Sequence, residues 1–201
     1  IPRASFYDGL NPERAKAMAE AIDILGQHGA VIIDPADIPS VIDPDPRKNF
    51  DRWNICSGSA NGKGNDANCS VVLKYGMKRD FNRWLTTLGP SSPVKTLTEL
   101  RQWNLKHERA GAIKYGQSNL DISDEMDVEA DRARYELDRA KDIELAGTHG
   151  IDEAMKTNRL DALLFPGSNG SALAARPGYP TIIVPFAMLP SAALNPLPEG
   201  F

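Results

Sequence analysis

Cysteine is almost absent from this 201-residue chain: Cys56 and Cys69 are the only two, they lack C-x-x-C spacing, and no Cys or His pair follows them. A structural zinc site therefore has no sequence support. A chain of this length can build a core without staples, so the two are expected as free thiols of a cytoplasmic protein, a single disulfide between them being the open alternative. Long apolar runs are absent too. Nothing approaches the ~20 residues that cross a bilayer, and the N-terminal IPRASFYDGL lacks the basic-then-apolar layout of a secretory signal. Excess positive charge is also missing: 27 acidic residues against 23 basic give a formal charge of -4, without the basic footprint of a phosphate-backbone binder. Neither nucleic acid nor a membrane is an expected partner.

What is present is an ordinary globular composition, 41% hydrophobic and 25% charged, enough for one domain or one domain plus a small lobe. The chain opens on Ile1, not Met, and reads as an excised or processed piece. Asn11-Pro12-Glu13 is a helix start, with a capping side chain, a proline at the first helical position and an acid at the positive end of the dipole. Ala15, Met18, Ala19, Ile22 and Leu25 then share one face, and Gly29 closes the helix. Ala30 to Ile33, Asp161 to Pro166 and Thr181 to Pro185 are short and aliphatic, which predicts strands buried on both faces and joined in one sheet. Between them, residues 34–50 carry Pro35, Pro39, Pro44 and Pro46 and read as a surface connection.

Residues 50–70 are rich in Gly, Ser and Asn and read as a loop; its SGSANGKGN part reads as a flexible insertion in preference to an anion cradle. Leu73, Met77, Phe81, Trp84, Leu85 and Leu88 recur at helical spacing up to Gly89-Pro90. Thr96 and Glu99 make a capping box ahead of Leu97, Leu100 and Trp103, expected to face inward. Residues 126–147 read as a long solvated helix with the pairs Arg132/Glu136 and Arg134/Asp138, followed by a shorter helix over 151–158 and a helical turn at 172–175.

Chemistry-bearing constellations are few. His28, His107 and His149 lie on separate elements without H-E-x-x-H spacing, so helix-end and surface roles are expected of them. Neither G-x-G-x-x-G after a strand nor G-x-x-x-x-G-K-[ST] occurs, and no cofactor or metal is expected. Ser91-Ser92 with Lys95 lies between prolines, without glycines to shape an oxyanion hole, and is not read as catalytic. The loop Gly167 to Ser171 follows a predicted strand, where ligands of α/β folds bind; Ser168, Asn169, Gly170 and Ser171 are candidates for lining a substrate pocket, with ordinary turn chemistry as the alternative.

The run DALLFPGSNGSALAARPGYPTIIVPF, residues 161–186, resembles the C-terminal half of amidase-signature enzymes, in which a DAL-aliphatic-FP strand, a loop, an alanine-rich turn and GYP-[ST]-aliphatic-VP follow one another. Phe6-Tyr7 through Asp34 and SPVKTLTELRQWN are similar to that family's first helix and helical lobe, so the resemblance covers nearly the whole chain. It implies an α/β fold, part of a mixed sheet covered by helices: residues 1–201 as a partial domain, strand-bearing at about 1–35 and 160–190, with a helical lobe at about 70–147. It also implies amide hydrolysis by a serine, a second serine in a cis peptide and a lysine. The GGSSGG-type signature that carries those serines is not in this sequence, and the chain has about two-fifths of the expected length. The expected catalytic set within the chain is therefore empty. The reading is a fragment of an amidase whose catalytic residues lie outside it, inactive alone. The parent would act on a small-molecule amide, with a homodimer compatible. The alternative is a non-catalytic α/β binding or scaffold module derived from an amidase; an upstream lysine and GGSSGG would separate the two.

Overall fold

The computed structural model describes residues 1–189; the Pro-rich tail after Pro185 passes outside the described residues at 190. Helices dominate, with one small parallel two-stranded sheet among the described residues. The chain divides into two compact units. Unit 1 joins Ile1–Asp43 to the residues from Ala146 onward, and unit 2 is Pro44–Leu145.

In unit 1, helix α1 spans Pro12–Gln27. Asn11 caps it as expected, its side-chain oxygen accepting from the Arg14 N–H at 2.8 Å. Gly29, at φ 94°, ends it: the Gly29 N–H reaches Gly26 O and the Ala30 N–H reaches Leu25 O, a Schellman closure that needs a left-handed residue. None of its residues is fully buried: on the expected face Met18 and Ile22 are half-buried, and Ala15, Ala19 and Leu25 are exposed. The expected strands are corrected in the same way. Residues 30–33, 161–166 and 181–185 form no ladder among the described residues. Val31 is 87% exposed and Ile182 88%. Aliphatic composition promotes an extended backbone, but a strand also needs neighbours to take its N–H and C=O groups. The supposed surface connection is the reverse case: Ala36, Ile38, Ser40 and Val41 are buried, the last two in the short helix α2, Pro39–Ile42. The Asp37 carboxylate fastens this segment by accepting from the Arg3 and Ala4 N–H groups at 2.6 and 2.8 Å. Helices α7 (Glu153–Asn158) and α8 (Ser171–Ala175) complete the unit.

Unit 2 opens with a turn at Phe50–Arg52 and the strand β1, Asn54–Ile55, which pairs in parallel with β2, Cys69–Ser70; Asn54 lies opposite Cys69. Cys56 and Cys69 are joined in a disulfide, which corrects the expectation of free thiols. The intervening residues are pinned, not a flexible insertion: the Gly58 N–H donates to Asn119 Oδ1 at 2.6 Å, Lys63 N–H donates to Glu125, and Asn61 O accepts from Lys74. Helix α3 (Val72–Thr87) and helix α4 (Leu97–Lys106), whose Thr96 cap accepts from Glu99 N–H at 3.1 Å, fall where the spacing places them. Residues 126–147 are not one helix: α5 is Ser118–Asp124 and α6 is Arg132–Ile143, leading into a wide helical segment Glu144–Asp152 broken at Gly150. The largely covered Asp124 side chain clasps α3, α4 and α5, accepting from Thr98 Oγ1 (2.7 Å) and Arg101 Nη1 (2.6 Å) and facing Lys78 at 3.4 Å. Burial raises its pKa, but the Thr98 and Arg101 bonds outweigh that and leave it below the usual carboxylate value. The core of the unit is the disulfide with Val71, Tyr75 and Met126, against which Val128 and Tyr135 pack. Tyr75 and Tyr135 stack at 4.4 Å.

Candidate functional site

The four loop residues singled out from the sequence lie together in unit 1, in a tight turn between Phe165 and α8. Asn169 N–H donates to Pro166 O at 3.4 Å and Ser171 N–H to Ser168 O at 3.0 Å, with Gly167 at φ 60°. Ser168, Asn169 and Ser171 are exposed and Gly170 is buried. Glycine is required at 170 by packing: a Cβ there would stand 2.6 Å from the Phe165 ring, which meets Phe6 edge-on at 4.8 Å. The Asn169 amide nitrogen donates to Phe6 O at 3.1 Å, which leaves its carbonyl oxygen outside that bond. The Tyr7 hydroxyl bonds Leu164 O at 3.1 Å and holds the preceding extended segment. The arrangement presents two hydroxyls and one amide oxygen on a fixed turn. Such groups orient a ligand by hydrogen bonds; they supply neither a general base nor an activated nucleophile.

A second polar constellation, in unit 2, went unseen in the sequence. Lys74 of α3 is 0% exposed. Its ammonium donates to Asp66 Oδ2 at 2.8 Å and Asn61 O at 3.3 Å, with Glu125 at 3.9 Å. Arg134 of α6 donates to the other Asp66 oxygen at 2.9 Å and also to Asp66 O. Burial raises the Asp66 pKa, and the Lys74 and Arg134 hydrogen bonds overcome it, so the carboxyl lies below its ordinary value. Close by in the chain, Asp142 accepts from Trp53 Nε1 at 2.9 Å and Ser70 Oγ at 2.7 Å. Ser70 is fully buried, so this Ser–Asp pair has no face to offer a substrate. The whole constellation is an internal clasp across β2, α3 and α6.

The expected face of α3 is largely reversed: Lys74, Tyr75 and Leu85 are buried, whereas Leu73, Met77, Trp84 and Leu88 are exposed. Trp103 of α4 is also exposed, stacked on the His107 ring at 3.9 Å. No sequence signal pointed to Lys74: it shares a helix face with Val71 at i−3, but a lysine three residues from one aliphatic side chain is ordinary. Of the expected α6 pairs, Arg134 turns chiefly to Asp66 and reaches Asp138 only at 3.8 Å, and Arg132 bonds Glu129 at 3.1 Å.

Ser92 and Lys95 are engaged structurally. Ser92 Oγ donates to Val94 O at 2.7 Å, and the Lys95 ammonium donates to Gly89 O and Pro90 O at 2.7 and 3.0 Å, beyond the α3 C-terminus. His28 and His107 follow the last residues of α1 and α4. His149 bridges two acids of unit 1, Glu153 through Nδ1 at 2.8 Å and Asp43 through Nε2 at 2.9 Å. The Glu153 bond raises its pKa, burial lowers it, and the Asp43 bond raises it again, with a net rise above the ordinary 6.5. Among the described residues, no group of three His, Cys, Asp or Glu side chains could hold a metal ion, and no helix is long and apolar enough to cross a membrane.

Over 178 residues the chain is 24% identical to a protein described as a probable amidase from Arabidopsis thaliana; the match takes in 88% of this chain and 31% of that protein. The chain thus spans about a third of the length of the curated relative it matches. No family model matches, and no solved structure does.

Proposed function

We propose that this chain is part of an enzyme of the amidase-signature type, hydrolysing carboxamide C–N bonds in a longer polypeptide that carries the catalytic residues. The observation that supports this most is the match to a probable amidase along 88% of the chain. In the reaction that the resemblance implies, a serine oxygen bonds to the amide carbonyl carbon and a lysine, through a second serine, passes the serine's proton to the departing nitrogen. Water then releases the acid and restores the serine. None of that set is assigned to this chain, whose Ser92 and Lys95 are already bonded to backbone carbonyls. Its part is to bind and shape.

The turn of Ser168, Asn169, Gly170 and Ser171 lines the acyl or amide pocket of the complete enzyme, the exposed hydroxyls and the Asn169 carbonyl oxygen meeting the substrate's polar groups. The segments at 30–33, 161–166 and 181–185 join its sheet. A small-molecule amide is the substrate. Cys56–Cys69 favours folding in an oxidising compartment over the cytoplasm. The test is ammonia release from aliphatic and aromatic amides by the longer parent and by this chain alone. Turnover is expected from the parent only, and Asn169→Ala in the parent is expected to change kcat/KM ratios between amides of different acyl group. Unchanged ratios with lowered stability would make the turn purely structural. A parent that contains no upstream lysine and GGSSGG, and releases no ammonia, would favour a non-catalytic module instead.

A further inference from the structure

Unit 2 contains an open cleft of about 360 Å³, formed by α4, the segment after it and the start of α5, within the size range of small-ligand sites. In a chain that is 25% charged, none of the residues lining this cleft carries a charge. Its polar lining is amide and hydroxyl: Asn104, Gln117, Ser118 and Asn119, with Tyr115 beside them and Ile113 as an apolar contact. The lining residues themselves give a carboxylate, phosphate or ammonium ligand no opposite charge to offset its lost hydration, the Lys114 ammonium being turned to the Tyr115 ring at 5.6 Å.

The hydrogen-bond pattern narrows the choice among neutral ligands. Asn104 Nδ2 donates to Gln117 Oε1 at 3.1 Å. That bond leaves the Asn104 carbonyl oxygen and the Gln117 NH₂ group outside it, an acceptor and a donor belonging to one joined pair. A carboxamide presents the complementary N–H and C=O. Asn119 is fixed in turn, its Oδ1 taken by the Gly58 N–H, so its NH₂ group is held near the cleft without depending on a ligand. Tyr115 is 77% exposed; the Lys114 ammonium stands over its ring at 5.6 Å, and the rest of the ring offers apolar area to a substituent. We propose that this cleft binds a neutral carboxamide carrying an apolar side chain, the Asn104–Gln117 pair meeting the amide and Tyr115 and Ile113 meeting the side chain. The preference for an amide over other neutral ligands rests also on the amide-hydrolase reading above; the cleft is a recognition site, apart from the 167–171 turn.

The test is a titration of the whole 201-residue chain with N-acetyl-leucinamide, followed by the side-chain amide NMR signals of Asn104, Gln117 and Asn119. Saturable shifts confined to these residues and the Tyr115 ring are expected, with affinity reduced about tenfold by Gln117→Leu and severalfold by Tyr115→Ala. Thermal unfolding of both variants, measured beside the titration, separates lost binding from a folding defect. Shifts with maltose or glucose and none with the amide would overturn the proposal, as would amide binding that both variants leave unchanged. The two readings separate cleanly: a parent that releases ammonia while this chain ignores the amide sinks the cleft alone, and binding here with an inert parent sinks the hydrolase alone.

Discussion

The two units spend their apolar residues differently. Unit 2 gathers Cys56, Cys69, Val71, Tyr75 and Met126 into one buried cluster, and fixes the surrounding segments with internal ion pairs at Asp66 and Asp124. Unit 1 buries Ile38, Val41, Ile151 and Leu173, yet its α1 fully buries none of its residues and its aliphatic runs at 30–33 and 181–184 leave Val31, Ile182, Ile183 and Val184 in solvent. The comparison teaches that aliphatic composition is an offer of burial, taken up only where neighbouring segments are at hand. An exposed apolar run that forms no ladder among the described residues is the signature of a surface meant to be covered.

The comparison breaks first at Lys74. If its ion pair holds unit 2, Lys74→Met leaves Asp66 in a buried site with Arg134 alone, and unfolding stability should fall by about 3–5 kcal/mol. Urea denaturation of the two proteins measures it. The pH dependence has a fixed sign: the Asp66 pKa is lowered by folding, so its contribution is present above the ordinary carboxylate value and is lost as pH falls through the folded one. The acid-side loss should shrink in the variant; an unchanged profile would place the acid sensitivity elsewhere. Next in size is the disulfide. It links residues 13 apart, and for a loop of that order removing the link costs about 3 kcal/mol. Cys56→Ser with Cys69→Ser should therefore weaken unit 2 and leave amide exchange in α7 and α8 of unit 1 unaltered.

What could be read from the chain divides along the same line. Local signals succeeded: Asn11 and Thr96 cap α1 and α4, and Gly29 ends α1, because capping is decided within a few residues of backbone. Inferences that depend on distant partners did not carry over. The disulfide could be named but not chosen, since the approach of Cys56 to Cys69 depends on β1 meeting β2. Lys74 was invisible because its burial requires Asp66 and Arg134, the latter 60 residues further along the chain, and no local pattern encodes that meeting. At the candidate site the turn itself was legible from Gly, Ser and Asn. The bond from Asn169 to Phe6, 163 residues apart, was not.

Unit 1 offers two smaller tests. Gly170→Ala would drive a methyl into the Phe165 ring, and overpacking of this kind costs about 1–3 kcal/mol. Loss of Asn169 signal order alongside lowered stability would show that the candidate turn is held by this packing; a neutral variant would show the ring free to swing away. His149 sets the pH dependence on the opposite side from Asp66. Its pKa is raised by folding, so its contribution is full below the ordinary imidazole value and is lost as pH rises through the folded one. His149→Gln should abolish that loss, worth about 1 kcal/mol or less for a partly exposed pair, read as amide exchange in α7 at a pH below about 6.5 and at one well above it.

The smallest expected effect sharpens the comparison most. Ile182 is 88% exposed and Ile183 73%; a substitution at so exposed a position usually stays within about ±0.5 kcal/mol. Ile182→Ser in this chain should therefore leave its urea midpoint where it was and lower its tendency to aggregate, because an exposed aliphatic segment outside any ladder of the described residues is a template for association. Inside the longer enzyme proposed above, the same residue belongs to a covered sheet, and losing its burial would cost about 2 kcal/mol or more. Running one substitution in both settings reads the difference directly. Equal, negligible effects would mean that nothing covers the segment in the parent, and equal, large effects would mean that this chain already buries it.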